Sequence, residues 1–268
     1  MFHQPNKAMY HTIIFDIQGA ICRITLNQPA VFNALSKEML MELRQAFEVV
    51  AADDAIRVVV LTGSGDKAFS SGQNLKSGLN PQMDSLGDFL RTYYNPLILA
   101  MRKLPKPIIC ELNGVAVGAG CSLALACDTI IASENASMAQ LFVGIGLIMD
   151  AGASFFLPRI IGTQKAFELC STGKSVNAQE CLRLGLVNAL VAPDSLRNHV
   201  QQVAEMYANA PTKAIGMMKK LLNESSSSTL EECLEREAVH QEMAGQTEDF
   251  IEGLAAFMCK KKPSFKGR

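Results

Sequence analysis

Two small-residue turns and one carboxylate are the parts of this chain whose types and spacing suit chemistry at a carbonyl. The first turn, Phe69-Ser70-Ser71-Gly72-Gln73-Asn74-Leu75, follows the fully apolar Val58–Gly63 and a Gly/Ser loop. The second ends an apolar run over residues 106–121, in Asn113-Gly114-Val115-Ala116-Val117-Gly118-Ala119-Gly120-Cys121, and leads into a helix-like stretch over residues 122–127. Backbone N–H groups at the start of a helix lack an intrahelical partner, and the helix dipole adds partial positive charge there, so such a turn suits a developing oxyanion. Small residues let a ligand carbonyl come close to the backbone.

The carboxylate is Asp150, in Gly144-Ile145-Gly146-Leu147-Ile148-Met149-Asp150-Ala151-Gly152. Apolar surroundings disfavour its ionised form and raise its pKa from about 3.9 towards a value useful for moving protons. The same residue also reads as the N-cap of a helix beginning near Ala151, a role worth about 1 kcal/mol. Taken as a residue alone, capping leads.

The elements that position these groups alternate short strands with helices. Residues 10–17 and 20–26, parted by Gln18-Gly19, read as a hairpin. Ser36 is a fitting N-cap for a helix whose buried face is Met39, Leu40, Leu43 and Phe47. Residues 108–111 and 129–132 supply further buried strands, and residues 144–157 form a Gly-rich loop entering a helix. The pattern is a repeated ββα unit without a sequence period. Residues 77–96 are polar and Gly/Pro-punctuated, and read equally as a cover over the site or as a short surface helix. Beyond Asp194 the chain is helical, broken at residues 209–211 and 223–228.

At 268 residues and 49% hydrophobic content the chain can bury a large core. A net charge of −1 gives no polyanion-binding signature, so nucleic acid is not an expected partner. No apolar run reaches the ~18–20 residues of a membrane span, and the first residues lack a signal peptide's apolar core, which together point to a cytoplasmic protein without membrane attachment. Eight scattered cysteines read as reduced core thiols. Neither CxxC nor HExxH occurs and the four histidines are dispersed near the two ends, so no metal site is expected.

These segments, together with Ile24-Thr25-Leu26-Asn27-Gln28-Pro29 and Asn33-Ala34-Leu35, resemble the enoyl-CoA hydratase/isomerase (crotonase) superfamily over essentially the whole chain. The resemblance implies an α/β fold, a crotonase-like spiral of ββα units (residues 1–206) with a C-terminal helical trimerisation region (residues 207–268). It implies a homotrimer or a dimer of trimers, and coenzyme A as part of the substrate with no permanently bound cofactor. It assigns the oxyanion hole to the backbone N–H groups of Ser71 and Ala119, the latter alanine where glycine is common. It places Ser70, Ser71, Gln73, Asn74 and Leu75 around the CoA, and gives Phe257 and Lys260 to the nucleotide of a neighbouring subunit.

Hydratases of the superfamily present two glutamates, and the matching positions here, in the substrate pocket, are Ser122 and Phe142. Neither supplies a carboxylate, so hydration by paired acids is disfavoured. Isomerase branches place their acid/base carboxylate at the position of Asp150, and this reverses the order between capping and catalysis. Tyr94-Asn95-Pro96-Leu97, Gly146-Leu147-Ile148 with Asp150, and Leu157-Pro158-Arg159 are closest to the branch acting on 1,2-epoxyphenylacetyl-CoA, with Asn74 and Met149 as departures from its usual Asp and Pro. A Δ3/Δ2-enoyl-CoA isomerase is the related expectation. An enoyl-CoA hydratase and a non-catalytic acyl-CoA-binding relative are the alternatives. Phe142, Phe155 and Phe156 are the candidates for an aryl pocket.

Overall fold

The computed structural model describes residues 10–75 and 85–268. The part of the expected cover over residues 77–84 lies outside the described residues.

The chain opens with the expected hairpin: β1 (Ile13–Gln18) pairs antiparallel with β2 (Ile21–Leu26), and Gly19 takes the left-handed φ of 60° that the tight turn requires. Ser36 caps α1 (Lys37–Ala52), its hydroxyl accepting from Met39 N–H at 3.1 Å, and Met39, Leu40, Leu43 and Phe47 are buried as their spacing predicts. β2 then continues in parallel through β3 (Val58–Gly63), β5 (Ile108–Leu112), β7 (Thr129–Ser133) and β10 (Ala189–Val191), giving a six-stranded sheet in the order β1-β2-β3-β5-β7-β10. Every residue of β3 is buried, as a parallel strand covered on both faces requires. The main core packs one face; on the other, α8 (Pro193–Ala208) sets Leu196, Val200 and Ala204 against Val58, Val60, Ile109 and Ile131.

A second sheet grows by repetition. After β3, β5 and β7 the chain turns at once into β4 (Ala68–Ser70), β6 (Val115–Val117) and β8 (Ser137–Ala139), which with β9 (Val176–Asn177) form a four-stranded sheet in the order β4-β6-β8-β9. Each ββα unit therefore adds one strand to each sheet. Both turns noted in the sequence fall at the ends of second-sheet strands, β4 and β6, which are direct neighbours.

Helix α2 (Leu86–Phe89), a single π turn (Leu90–Tyr94) and α3 (Asn95–Lys103) fill the connection before β5. Helix α4 (Ala119–Leu125) starts three residues earlier than the sequence pattern indicated, directly on the second turn. Helices α5 (Ala153–Ile161), α6 (Thr163–Thr172) and α7 (Ala178–Leu184) precede β10.

Helix α8 passes the expected boundary at residues 206/207 and ends at Ala208, because its last turns still cover the sheet; the break falls at residues 209–211. Helices α9 (Thr212–Ser225), α10 (Leu230–Gly245) and α11 (Glu248–Met258) follow, with Thr229 and Glu232 forming a reciprocal capping box at the start of α10. α9 is bound to the core by Lys219, whose ammonium donates to Asp128 Oδ2 at 2.7 Å and to the carbonyls of Met101 and Lys106. α10 and α11 leave apolar side chains in solvent, Leu230 at 70%, Ile251 at 65% and Phe257 at 83% exposure. No helix among the described residues is long and apolar enough to cross a membrane.

None of the eight cysteines is paired, and five of them are buried. Burial pushes the Cys22 and Cys181 thiols up to about 12, so they stay protonated and behave as core side chains.

Candidate active site

The strand carrying the first turn is fastened along one edge. Ser71 N–H donates to Phe32 O at 2.9 Å, Leu35 N–H to Gly72 O at 2.7 Å and Asn74 N–H to Leu35 O at 3.0 Å. Phe32 and Asn33 both take left-handed φ values of 54°, which turn their carbonyls to this strand. Asn33 O accepts from Ser70 Oγ at 2.8 Å, and Asn33 Nδ2 reaches Ala68 O at 2.9 Å. This corrects two expectations. The Ser71 N–H is already committed and cannot serve a ligand oxyanion, and the fully buried Ser70 spends its hydroxyl on Asn33 O and on Gly72 N–H at 3.2 Å, inside the wall.

The free donor lies two residues on. Because Leu35 bonds to the peptide groups either side of Gln73, the bridge leaves the N–H of Gln73 itself pointing to the opposite edge. That edge faces β6 and the turn after it. The Gln73 N–H has no partner among the described residues, and neither has the Ala119 N–H at the first position of α4. A β-carbon placed on Gly72 would stand 3.6 Å from Ala119 N and 2.7 Å from Val117 O, so the two turns touch and bring both donors to one place. Of the two N–H groups expected to serve an oxyanion, that of Ala119 has no partner among the described residues, whereas that of Ser71 is taken by Phe32 O.

Asp150 does not cap a helix. Two left-handed residues, Ala151 at 48° and Gly152 at 88°, separate it from α5; the N-cap is Gly152, and no side chain bonds there. Its Oδ1 is buried with no hydrogen-bond partner among the described residues. Burial strips water from its carboxyl and pushes the pKa up to about 6. Tyr94 is near enough for its own upward shift, caused mainly by burial, to be increased by the charge of Asp150.

Ser122 is fully buried and tied into α4, its hydroxyl donating to Gly118 O at 3.2 Å and accepting from Gln140 Nε2 at 3.5 Å. Phe142, on a short 3₁₀ turn (Leu141–Ile145), lays its ring over Gly118, with Cζ 3.6 Å from where a β-carbon would be. It also lines a cavity of about 180 Å³ with Leu147, Ile148, Met149 and Phe167, next along the chain to Asp150. Phe155 and Phe156 line a different cavity, of about 580 Å³, with Arg102, Asp128 and Lys219, so they do not share the pocket of Phe142.

Leu75 is 57% exposed beside the first turn; Asn74 gives its N–H to Leu35 O, and the Gln73 carboxamide accepts from Tyr94 OH at 2.6 Å. Phe257 is a surface residue of α11 and Lys260 follows the end of that helix, exposed and at a φ of 52°. One histidine–carboxylate group occurs elsewhere among the described residues: His11, Glu38 and Glu42. Glu42 is occupied there, accepting from Thr12 N–H at 2.8 Å and from His11 N–H at 2.6 Å, and joins the start of β1 to α1.

Sequence reasoning placed Gln73 at the CoA but did not connect it with Tyr94, because nothing local marks that tyrosine as reaching a residue twenty-one positions away.

The family model described as enoyl-CoA hydratase/isomerase matches residues 16–268. The chain is 35% identical over 263 residues to 1,2-epoxyphenylacetyl-CoA isomerase of Escherichia coli K12, covering 97% of this chain and all of that one. It is 32% identical over 262 residues to crotonyl-CoA hydratase of Syntrophomonas wolfei, covering 96% and 98%. Among solved structures, the enoyl-CoA hydratase of Bacillus anthracis superposes with a TM-score of 0.88 at 33% identity, covering 96% of this chain and all of that one.

Proposed function

The chain belongs to the enoyl-CoA hydratase/isomerase family, and on that premise we propose that it is a CoA-thioester isomerase whose proton carrier is Asp150. One observation carries this reading: a carboxyl pushed up to about 6, with a buried oxygen unpartnered among the described residues, whose charge acts on Tyr94, the residue hydrogen-bonded to Gln73 in the first turn. At pH 7 such a group is largely ionised and can take a proton, yet its conjugate acid is strong enough to return it.

The thioester oxygen would sit between the N–H groups of Ala119 and Gln73. Donors aimed at an oxygen that gains charge stabilise the enolate formed when a proton leaves the adjacent carbon, each by about 2.7–4 kcal/mol. Asp150 then removes a proton at one carbon and delivers it at another, moving the double bond, or assists the opening of a ring epoxide. The ester would enter past Gln73, Asn74 and Leu75, and its acyl group would reach the apolar cavity of Phe142 and Met149. Coenzyme A is part of the substrate in this reading. The reaction needs no redox partner.

A hydratase is the second reading, favoured by the name of the Syntrophomonas relative. Against it stand Ser122, whose hydroxyl is bound within its own helix, and Phe142, which cannot transfer a proton. Rates of 3-enoyl-CoA isomerisation and of crotonyl-CoA hydration, measured on the same preparation, decide between them. Isomerisation should dominate, and hydration at a comparable rate would overturn the assignment.

The exposed apolar faces of α10 and α11 fit burial against other copies, in a trimer or a dimer of trimers, with Phe257 and Lys260 brought to a neighbour's CoA. Sedimentation tests this, and a stable monomer at micromolar concentration would count against it.

A further inference from the structure

Tyr94 is 2% exposed and stands at the end of the π turn that joins α2 to α3. Single π turns insert one extra residue per turn, re-aim side chains, and are frequent at functional sites. Both rings contact Phe89, at centroid distances of 4.8 Å for Tyr93 and 6.0 Å for Tyr94, but their polar ends diverge. The half-buried Tyr93 ring lies 5.0 Å from the Lys37 ammonium, whereas the buried Tyr94 donates its phenolic proton to Gln73 Oε1 at 2.6 Å. Burial, and then the charge of Asp150, hold the phenol well above its ordinary pKa, so it remains a donor throughout the working range.

Among the described residues, the backbone around Gln73 is fastened on one edge, by Leu35 to its flanking peptides. Its own N–H faces the open side, and the hydrogen bond to Tyr94 is the second point that fixes the residue. We propose that Tyr94 is a positioning residue of the thioester site, acting through the Gln73 carboxamide to hold the Gln73 N–H on the line of the developing enolate oxygen. The inference rests on the CoA-thioester reading above. A misplacement of about 1 Å at such a donor costs up to ~10²-fold in rate, so a side chain that removes one degree of freedom acts on turnover and leaves ground-state binding alone.

The test uses the full chain and two CoA esters. Butyryl-CoA offers a neutral thioester carbonyl, and acetoacetyl-CoA forms a stable enolate with a near-ultraviolet band that reports negative charge held in the site. Tyr94→Phe removes only the hydroxyl. It should lower kcat and the affinity for acetoacetyl-CoA by ~10-fold, weaken the enolate band, and leave KM and butyryl-CoA affinity within about twofold. Gln73→Leu, which keeps the backbone N–H, should give the same loss, and the double variant no further loss. Equal losses on both esters, unchanged kcat, or additive losses in the double variant would overturn the positioning role, as would a lowered unfolding temperature with unchanged discrimination between the esters. If the parent protein binds neither ester, the CoA-thioester reading itself fails.

Discussion

Gly120 and Ser70 touch across the two turns: a β-carbon built on Gly120 would stand 2.7 Å from both Cβ and O of Ser70 and 2.8 Å from its Oγ. Ser70 cannot retreat, since its hydroxyl is bound to Asn33 O behind it. The glycine therefore sets how close α4 comes to the strand bearing Gln73, and with it the spacing of the two free N–H groups. Gly120→Ala should force the turns apart, lowering kcat for isomerisation at least ~10-fold and stability by about 1–3 kcal/mol, the range typical of overpacking. Steady-state kinetics with a urea titration checks both, and unchanged kcat would mean that the spacing is not critical.

With Asp150 as the proposed proton carrier, the pH profile should have an acid limb. With its carboxyl at about 6, kcat/KM should fall roughly tenfold per pH unit below that value and level off above pH 7. Asp150→Asn should reduce turnover by ~10²–10⁴-fold at pH 7.5 and abolish the limb. An acid limb near 4 in the parent would indicate a solvated carboxylate, and near-normal turnover in the variant would identify another proton carrier.

What could be read from the chain alone follows from which contacts are local. Ser36 and the face of α1 were legible because cap and periodicity lie within one segment. Strand β3 was legible because a parallel strand buried on both faces must be apolar throughout. Asp150 as a helix cap was a fair local reading, and it failed because Ala151 and Gly152 both turn left-handed before α5 begins, a backbone choice that the residue types permit without specifying. That the Ser71 N–H is already committed was not legible for a longer-range reason. In a regular strand the N–H groups of Ser71 and Gln73 would face the same edge; the left-handed φ of 88° at Gly72 breaks that alternation, so Ser71 N–H meets Phe32 O while Leu35, about forty residues before Gln73, bonds to the peptides flanking it. Ser70 was placed at the CoA by resemblance alone; here its hydroxyl is drawn inside by Asn33 O.

Ser122 separates a hydroxyl that does chemistry from one that packs. Its Oγ donates to Gly118 O and accepts from Gln140 Nε2. Ser122→Ala should leave isomerisation within about fivefold and cost about 1 kcal/mol through the lost bonds. A loss approaching that of Asp150→Asn would give Ser122 a direct part in proton transfer.

The burial that raises the pKa of Asp150 also makes its carboxylate a burden on the fold. In the unfolded chain its carboxyl titrates near 3.8, and in the folded chain it holds its proton up to about 6. Between those values the folded state binds more protons than the unfolded state, so stability falls as pH rises through the window and the full cost is present above it. Two pKa units correspond to about 2–3 kcal/mol. Asp150→Asn does not titrate. It should therefore unfold at a higher urea concentration than the parent at pH 8, and most of that advantage should vanish at pH 4, where the parent's carboxyl is protonated in the folded state. Turnover and stability should thus move in opposite directions on one substitution, as expected where a functional group is kept in an unfavourable setting. If the variant were no more stable than the parent at pH 8, the carboxylate would have to be well solvated or paired, and its raised pKa would lose its physical basis.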